Sequence, residues 1–265
     1  MDFFGKNKQF KMAFFGNLSI TTGGTLFGIF WGLFVSGILI ALSGVNPFAA
    51  YGALFNGAFG SMQAISNVLV RASPLLLGGI GVAIGIKAGV WNTGIEGYMY
   101  LGAIGAAIVG VLDLGLPPSV HILLCIICAI FLSGCWGAIP GYLKAYKGVN
   151  EVTATIMLNY IAIYLTNWVV SNFSLVAEAG AFYPMSKQFQ TSARLPILIP
   201  GSSLHPGPFI GIVLCLILYF VINFTPFGYR TKMLGANPHA ARYAGVDSRK
   251  QIMMIIMIGA VIGGI

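Results

Sequence analysis

Long apolar blocks separated by short polar connections run through the whole sequence, and this alternation restricts the fold more than any single motif does. Several blocks approach the roughly 20 residues that an α-helix needs to cross a bilayer. Hydrophobic residues make up 57% of the chain and charged residues only 8%, whereas soluble domains carry about 25% charged residues. The sequence therefore predicts an all-α fold, a polytopic helical bundle in a membrane.

We predict at least seven membrane spans. In chain order they occupy residues 22–43, 64–86, 98–112, 119–139, 152–170, 208–224 and 252–265. The fourth span is expected to end at Pro140, and the uncharged connection 46–63 is expected to dip into the membrane interface. Because no polar segment closes the last block, we expect residues 1–265 to form a single transmembrane domain that is incomplete at its C-terminus.

The distribution of lysine and arginine predicts the orientation, since these residues collect on the cytoplasmic side of membrane proteins. With the N-terminus in the cytoplasm, eleven of the fourteen Lys and Arg residues fall on cytoplasmic connections. Residues 1–19 are then a cytoplasmic lead-in, residues 226–250 a cytoplasmic connection and residues 171–207 an extracellular one. The positive charges behind the net charge of +8 therefore lie in the connections, where they set the orientation, and nucleic acid is not a predicted partner.

No residue pattern indicates an enzyme. The four cysteines lie inside apolar blocks, which predicts packing and not a disulfide or a zinc site: Cys125, Cys128, Cys135 and Cys215. The three histidines fall at separate places and cannot form one site: His121, His205 and His239. No GxxxxGK[ST] loop is present, so the chain is not expected to hydrolyse ATP, and no metal or other cofactor is predicted for it.

Arg71 is the residue that costs most to place in a membrane. It lies about two turns into the second span, and an arginine at the bilayer centre costs about 2.5 to 3.5 kcal/mol on insertion scales. Asn67 lies one turn earlier on the same face, and Pro74 leaves the carbonyl of Val70 without its helical donor. Because transporters build binding sites from interrupted helices, we predict that Asn67 and Arg71 contact substrate along a pathway. The alternative is that Arg71 snorkels to the outer interface or pairs with a carboxylate.

A glycine-rich turn at 87–97 precedes the third span and carries Asn92, Thr93 and Glu96. Asn92 or Thr93 is expected to cap the following helix, with Glu96 in its first turn, where a carboxylate is favourable. Capping alone would explain these residues. Asn92 and Glu96 are also candidates for the substrate pathway.

The fifth span carries a polar seam. Thr155, Asn159 and Thr166 share one face of this otherwise apolar helix, and they either bond to neighbouring helices or line a hydrophilic path. Asn159 is therefore a further candidate for the pathway. Asn150 is expected to cap the helix, with Glu151 in its first turn.

Pairs of small residues four positions apart predict where helices approach each other closely. Two such pairs are Gly81/Gly85 and Gly102/Ala106. Neither pair follows a predicted strand, so neither is interpreted as a dinucleotide-binding loop.

The basic connection 226–250 contains a predicted short helix. Asn237 can cap it, Pro238 suits its first position and Gly245 is placed to end it. A helix of about two turns is not stable alone in water, so we expect it to rest on a soluble partner or on anionic lipid. The side chains available for such contacts are His239, Arg242 and Tyr243.

The sequence of this connection resembles a known family. Residues 235–250, GANPHAARYAGVDSRK, are similar to the cytoplasmic coupling loop of the permease subunits of bacterial ABC importers for branched-chain amino acids, simple sugars and nucleosides. Residues 72–103, 141–162 and 192–207 resemble the nucleoside-type members of that family. The four stretches follow one another in the order that the family has.

The resemblance implies an all-helical permease in the bacterial cell membrane. It implies four kinds of partner: membrane lipid, a second homologous permease, cytoplasmic ATP-binding subunits that use ATP and Mg²⁺, and an extracellular substrate-binding lipoprotein. It also implies that the short helix sits in a groove of the ATPase and converts its closure into movement of the spans. Carried over by position, the coupling residues are Gly235, Asn237, Pro238, Ala240, Ala241, Arg242, Tyr243 and Gly245.

The predicted function is therefore ATP-driven import of nucleosides, with sugars and amino acids as alternative substrates. An ATP-independent secondary transporter or facilitator of small polar solutes is one alternative, and a membrane scaffold whose basic connection binds lipid or a soluble partner is another. Ion-coupled carriers commonly use carboxylates inside the membrane. Here Glu96 and Asp113 lie at the ends of predicted spans, which favours the ATP-driven mechanism.

Overall fold

The structure, a computed structural model, describes the backbone of residues 3–265 and the side chains of residues 23–265. The predicted lead-in at 1–19 lies outside the described side chains. Within the described residues the chain forms ten α-helices and one 3₁₀ turn, and its only β-type pairing is an isolated bridge between Ala177 and Ser186. The predicted all-α fold is confirmed.

The helices follow one another with short connections except between the sixth and the seventh. Their bounds are α1 Phe3–Leu42, α2 Pro47–Phe59, α3 Met62–Lys87, α4 Ile95–Gly110, α5 Pro118–Lys147, α6 Glu151–Asn172, α7 Gly207–Phe224, α8 Pro226–Ala236, α9 Pro238–Tyr243 and α10 Ser248–Gly263, with the 3₁₀ turn at Thr191–Ala193.

Five of the described helices are long and apolar enough to cross a membrane. These candidate spans are Gly23–Leu42, Met62–Lys87, Pro118–Lys147, Glu151–Asn172 and Gly207–Phe224. They coincide with five of the seven predicted spans. The other two predicted spans fall in α4 and α10, which have 16 residues each and so are shorter than the roughly 20 residues that a perpendicular crossing needs.

The chain divides into two compact units, Met1–Ile65 and Ser66–Ile265. In the first unit, the hydroxyl of Tyr51 on α2 donates to the carbonyl of Leu33 on α1 at 2.6 Å. The helix α2 occupies most of the uncharged connection 46–63, for which the sequence analysis predicted no helix. Asn46 caps it by accepting from the amide of Phe48 at 2.9 Å, and Pro47 lies at its start. This is the same Asn-Pro signature that predicts α9.

The second unit is built around α4, which packs against α5 and α6, and around α10, which packs against α5 and α4. Glycines allow these crossings. A Cβ on Gly81 would lie 2.7 Å from the carbonyl oxygen of Gly259, and one on Gly105 would lie 2.6 Å from that of Cys128. A Cβ on Gly102 would overlap the backbone of Gly264. Gly81 and Gly102 are therefore close-packing positions, as predicted.

The prediction that the fourth span ends at Pro140 is wrong, because α5 continues to Lys147. Proline removes one helical hydrogen bond, but here Pro140 is buried. The helix is held against α10 on both sides of it: a Cβ on Gly137 would touch Ala260, and one on Gly141 would lie 3.5 Å from the carbonyl oxygen of Met253. Tertiary packing thus overrides the proline.

The long connection between α6 and α7 returns over the ends of α4 and α5. The amide of Gln190 donates to the carbonyl of Gly110 at 2.8 Å. His121 is fully buried; its Nε2 lies 3.1 Å from the carbonyl oxygen of Val109 and its Nδ1 lies 2.8 Å from the Ser192 hydroxyl. Since a carbonyl only accepts, the ring donates through Nε2 to the carbonyl of Val109.

Candidate functional site

The predicted short helix in the basic connection is confirmed as α9. The Asn237 side chain accepts from the amides of His239 at 2.9 Å and Ala240 at 3.2 Å, so the cap is satisfied as expected. Pro238 begins the helix, and Gly245 follows it with φ +80°. That left-handed conformation suits glycine and ends the helix.

The two faces of α9 differ sharply in exposure. Ala241 is completely buried against the chain itself, whereas Tyr243 is 95% exposed. His239, Ala240 and Arg242 are exposed as well. The face that a partner can reach therefore carries the Tyr243 ring, the Arg242 guanidinium and the His239 imidazole. Ala241 instead packs on the inner face of α9.

A short helix, α8, precedes α9 and joins it to the bundle. Thr225 accepts from the amide of Gly228 at 3.3 Å and caps α8. The buried Thr231 on α8 accepts from Nε2 of Gln251 on α10 at 2.9 Å, and Leu234 is only 2% exposed. Because α9 follows at once, α8 and its contact with α10 connect the exposed face of α9 to the bundle.

The helix α10 begins with an N-cap of its own. The carboxylate of Asp247 accepts from the amides of Arg249 at 3.1 Å and Lys250 at 3.2 Å. The hydrogen bond from the Lys250 amide, together with the charged Lys250 side chain and the Arg249 amide, holds the pKa of Asp247 below its usual range. The cap is therefore charged at neutral pH and weakens only as the pH falls through this lowered pKa.

Residues 88–94 join α3 to α4, and we call them the α3–α4 connection; the end of α8 contacts the beginning of this connection and the last residue of α3. A Cβ on Gly235 would overlap the carbonyl oxygen of Lys87 and would lie 3.0 Å from the carbonyl carbon of Ala88 and 3.1 Å from the amide nitrogen of Gly89. Gly89 adopts φ +71°. The two backbones meet here without any side chain between them.

The prediction that Asn92 or Thr93 caps α4 is wrong. The N-cap is Gly94, which has no capping side chain. Asn92 is 1% exposed, and its Oδ1 accepts from the amide of Gly94 at 3.1 Å and from the hydroxyl of Tyr98 at 3.0 Å. Glu96 does lie in the first turn of α4, as predicted, and it is exposed.

Two side chains of the predicted polar seam bond to the α3–α4 connection and the start of α4. The amide of Asn159 donates to the carbonyl of Thr93 at 3.0 Å and accepts from the amide of Gly97 at 3.0 Å. Thr155 and Thr93 are joined through their hydroxyls at 2.7 Å. Thr166 bonds only within α6, to the carbonyl of Ala162. Thr155 and Asn159 thus serve interhelical bonding.

An ion pair that the sequence analysis did not identify joins α5 to α6. Lys144 Nζ and Glu151 Oε2 are 2.6 Å apart, and Glu151 Oε1 also accepts from the amide of Trp91 at 3.3 Å. Asn150 caps α6 as predicted. The sequence signal for this ion pair is a lysine and a glutamate on either side of a turn glycine. A left-handed turn at Gly148 brings Lys144 and Glu151 together.

Asn67 and Arg71 lie near the start of α3, at the other end of the helix from the α3–α4 connection. Asn67 accepts a hydrogen bond from the hydroxyl of Ser203. Arg71 is exposed and makes no hydrogen bond or ion pair with any described residue. Between Arg71 and Lys87 the helix rises about 24 Å. The predicted pathway residues therefore form two groups, with Asn92, Glu96 and Asn159 in the second.

Five described helices are long and apolar enough to cross a membrane, which defines the class: a helical membrane protein. Residues 64–265 match the family described as branched-chain amino acid transport system / permease component. The chain belongs to this permease family. It is a transport subunit and not an enzyme.

Curated relatives agree with the family. The guanosine ABC transporter permease protein NupP of Bacillus subtilis is 33% identical over 91% of this chain and 69% of its own length. The glucose ABC transporter permease protein TsgB13 of Haloferax volcanii is 31% identical over 88% of this chain and 64% of its own. The nucleoside ABC transporter permease protein NupB of Lactococcus lactis is 27% identical over 91% and 68%. The chain spans about two thirds of the length of these relatives, and no solved structure matches it.

Proposed function

We propose that this chain is the permease subunit of an ATP-driven importer of nucleosides. The observation that carries the proposal is the exposed face of α9, with Arg242 and Tyr243 free for a partner, in a member of the permease family. The substrate class rests on relatives named as guanosine and nucleoside permeases. A relative named as a glucose permease makes glucose the natural competitor in uptake experiments.

The proposed topology has at least seven spans with the N-terminus in the cytoplasm. Residues 226–250 are then the cytoplasmic coupling loop of one transmembrane permease domain. Contacts within the second unit support this arrangement: the α3–α4 connection meets the start of α6 through Glu151 and the end of α8 through Gly235. These three segments carry the predicted cytoplasmic residues, and they lie together.

An importer driven by ATP hydrolysis needs partner subunits, and we propose three of them. A cytoplasmic ATP-binding subunit, which uses ATP and Mg²⁺, receives the exposed face of α9 in its groove. An extracellular substrate-binding lipoprotein delivers the nucleoside, and a second homologous permease completes the pathway. ATP binding closes the ATPase, the coupling loop moves with it, and the permeases open alternately outward and inward without breaking a bond in the substrate.

Asn67 and Arg71 are the proposed polar contacts for substrate. A nucleoside is neutral, so the Arg71 guanidinium acts as a hydrogen-bond donor and as a stacking surface for the base. Asn92, Glu96 and Asn159 are proposed as pathway residues of the second group. Glu96 is exposed, and Asn92 keeps a buried Nδ2 without a partner among the described residues. Asn159 contacts substrate only when its bonds to the α3–α4 connection open.

Arg71→Ala and Asn67→Ala are each expected to lower guanosine uptake about tenfold at subsaturating substrate, the usual effect of losing one desolvated hydrogen bond. Uptake is measured in cells or proteoliposomes with matched amounts of each variant in the membrane. Leu75→Ala is the control, because Leu75 lies one turn further on the same face and is 74% exposed. Wild-type uptake in both variants would remove these residues from the pathway.

A further inference from the structure

We infer that the α3–α4 connection is the element that transmits movement of the coupling loop to α6, and that Thr93, Thr155 and Glu151 are its positioning residues. This inference rests on the proposed function. It concerns how the coupling loop acts on the membrane part. It assigns a coupling role to Thr93 and Glu151, which the sequence analysis places at a helix cap and in a first turn, and to Thr155, which it places in the polar seam of α6.

The first step is the contact between α8 and the connection. At Gly235 the backbone of α8 touches the backbone of residues 87–89, and a Cβ on Gly89 would lie 3.4 Å from Cα of Gly235. Side chains in a contact can change rotamer and absorb a small displacement, whereas two touching backbones cannot. A shift of α8 that accompanies α9 therefore displaces the connection.

The second step is how the connection is held on its other side. Beyond Val90, whose amide donates to the carbonyl of Gly85 at 3.0 Å, the amides of the connection make no helical hydrogen bonds among the described residues, so these backbone groups need other partners. Glu151 accepts from the amide of Trp91, and Asn159 donates to the carbonyl of Thr93. Both partners are on α6. Displacement of the connection thus either moves the start of α6 or leaves buried backbone groups without partners, which costs free energy.

The third step is the link between Thr93 and Thr155. Thr155 is fully buried, and its hydroxyl donates to the carbonyl of Glu151 at 2.7 Å. A hydroxyl has one proton, so in the 2.7 Å contact between the two threonines Thr93 is the donor. This bond joins the side chain of the connection to the first turns of α6, independently of the backbone bonds.

The fourth step is the transfer of this displacement from the start of α6 to the membrane spans. Glu151–Asn172 is a candidate membrane span, and its first turn is also tied to α5 by the 2.6 Å ion pair between Lys144 and Glu151. Movement at the start of α6 is therefore passed to a membrane span and to its neighbour.

The test removes the hydrogen bond between Thr93 and Thr155 while keeping the side-chain volume nearly unchanged. Thr155→Val and Thr93→Val are reconstituted as complete transporter complexes with the ATPase and the binding protein, and guanosine uptake and ATP hydrolysis are measured together. We expect the number of guanosine molecules taken up per ATP hydrolysed to fall about five- to tenfold in either variant, and the double variant to be no worse than the single ones. Thr166→Val is the matched control, because Thr166 bonds only within α6.

A second readout separates transmission from mere stability. Trp91 is 64% exposed, so in Trp91→Cys, with the exposed free thiols of Cys135 and Cys215 first replaced by serine, a maleimide reagent reports on the position of the connection. We expect its labelling rate to change at least threefold when ATP or vanadate is added to the wild-type background, and this nucleotide response to disappear with Thr155→Val. Thr155→Ser keeps the hydroxyl and should restore both readouts. If Thr155→Val does not fold, the same two measurements on Thr93→Val test the inference.

The outcomes are distinguishable. If Thr155→Val and Thr93→Val transport and hydrolyse ATP as Thr166→Val does, or if labelling still responds to nucleotide in them, the inference is overturned while the proposed function stands. If the wild-type complex shows no ATP-dependent uptake, the proposed function itself fails.

Discussion

Arg242→Glu is expected to reduce ATP-driven guanosine uptake by at least about 100-fold while the chain remains folded and in the membrane. Arg242 is exposed on α9, next to Tyr243, which is 95% exposed. The neighbouring Ala241 faces inward, so reversing the charge leaves the packing of α9 unchanged. At an interface, breaking a desolvated charged contact costs about 3 to 5 kcal/mol, enough for this loss.

The measurement is uptake and substrate-stimulated ATP hydrolysis of the reconstituted complex, together with binding of the substrate-loaded lipoprotein to the outer face. Uptake and stimulation should be lost, and lipoprotein binding should be retained. Lys147→Glu is the control, since Lys147 is an exposed base at the end of α5, outside the coupling loop. Unchanged stimulation of ATP hydrolysis in Arg242→Glu would contradict the assignment of this face.

Gly105→Leu is expected to prevent stable packing of the second unit. A Cβ at this position would lie 2.6 Å from the carbonyl oxygen of Cys128 and 2.9 Å from Cα of Ala129, so α4 and α5 would have to separate. Overpacking of a core costs about 1 to 3 kcal/mol, and here the obstacle is backbone. We expect the thermal unfolding midpoint in detergent to fall by about 10 °C or more, with low recovery from membranes.

Gly79→Leu is the matched control for this prediction. Gly79 lies on α3 with nothing within 4 Å of its hypothetical Cβ, and leucine is the better helix former. Its unfolding midpoint should be at least that of the wild type. Equal midpoints for Gly105→Leu and Gly79→Leu would show that the close crossing of α4 and α5 is not required.

Local sequence signals predicted those elements whose ends carry their own caps. Asn150 and Asn237 were identified because a side-chain acceptor before a helical stretch satisfies amides that no neighbour reaches, and both caps are present. The same reasoning would have found α2 and α8, which begin with Asn46-Pro47 and Thr225-Pro226.

Features that depend on distant residues could not be predicted in this way. The continuation of α5 through Pro140 depends on α10, more than 100 residues later. Asn92 turned out to bind Tyr98 and not to cap α4, because burial decides which acceptor a side chain meets. The role of Glu151 beyond the first turn of α6 also depends on long-range contacts, with Lys144 and with the amide of Trp91.

The most direct test of the central claim is affinity purification of the tagged chain from its native membranes, with the bound proteins identified by mass spectrometry. We predict that an ATP-binding subunit is recovered with the wild-type chain, that Arg242→Glu loses it and that Lys147→Glu keeps it. When the recovered complex is reconstituted in proteoliposomes, it should take up guanosine only with ATP and Mg²⁺. Uptake by the purified chain without an ATPase would contradict the account and would identify a facilitator or secondary transporter.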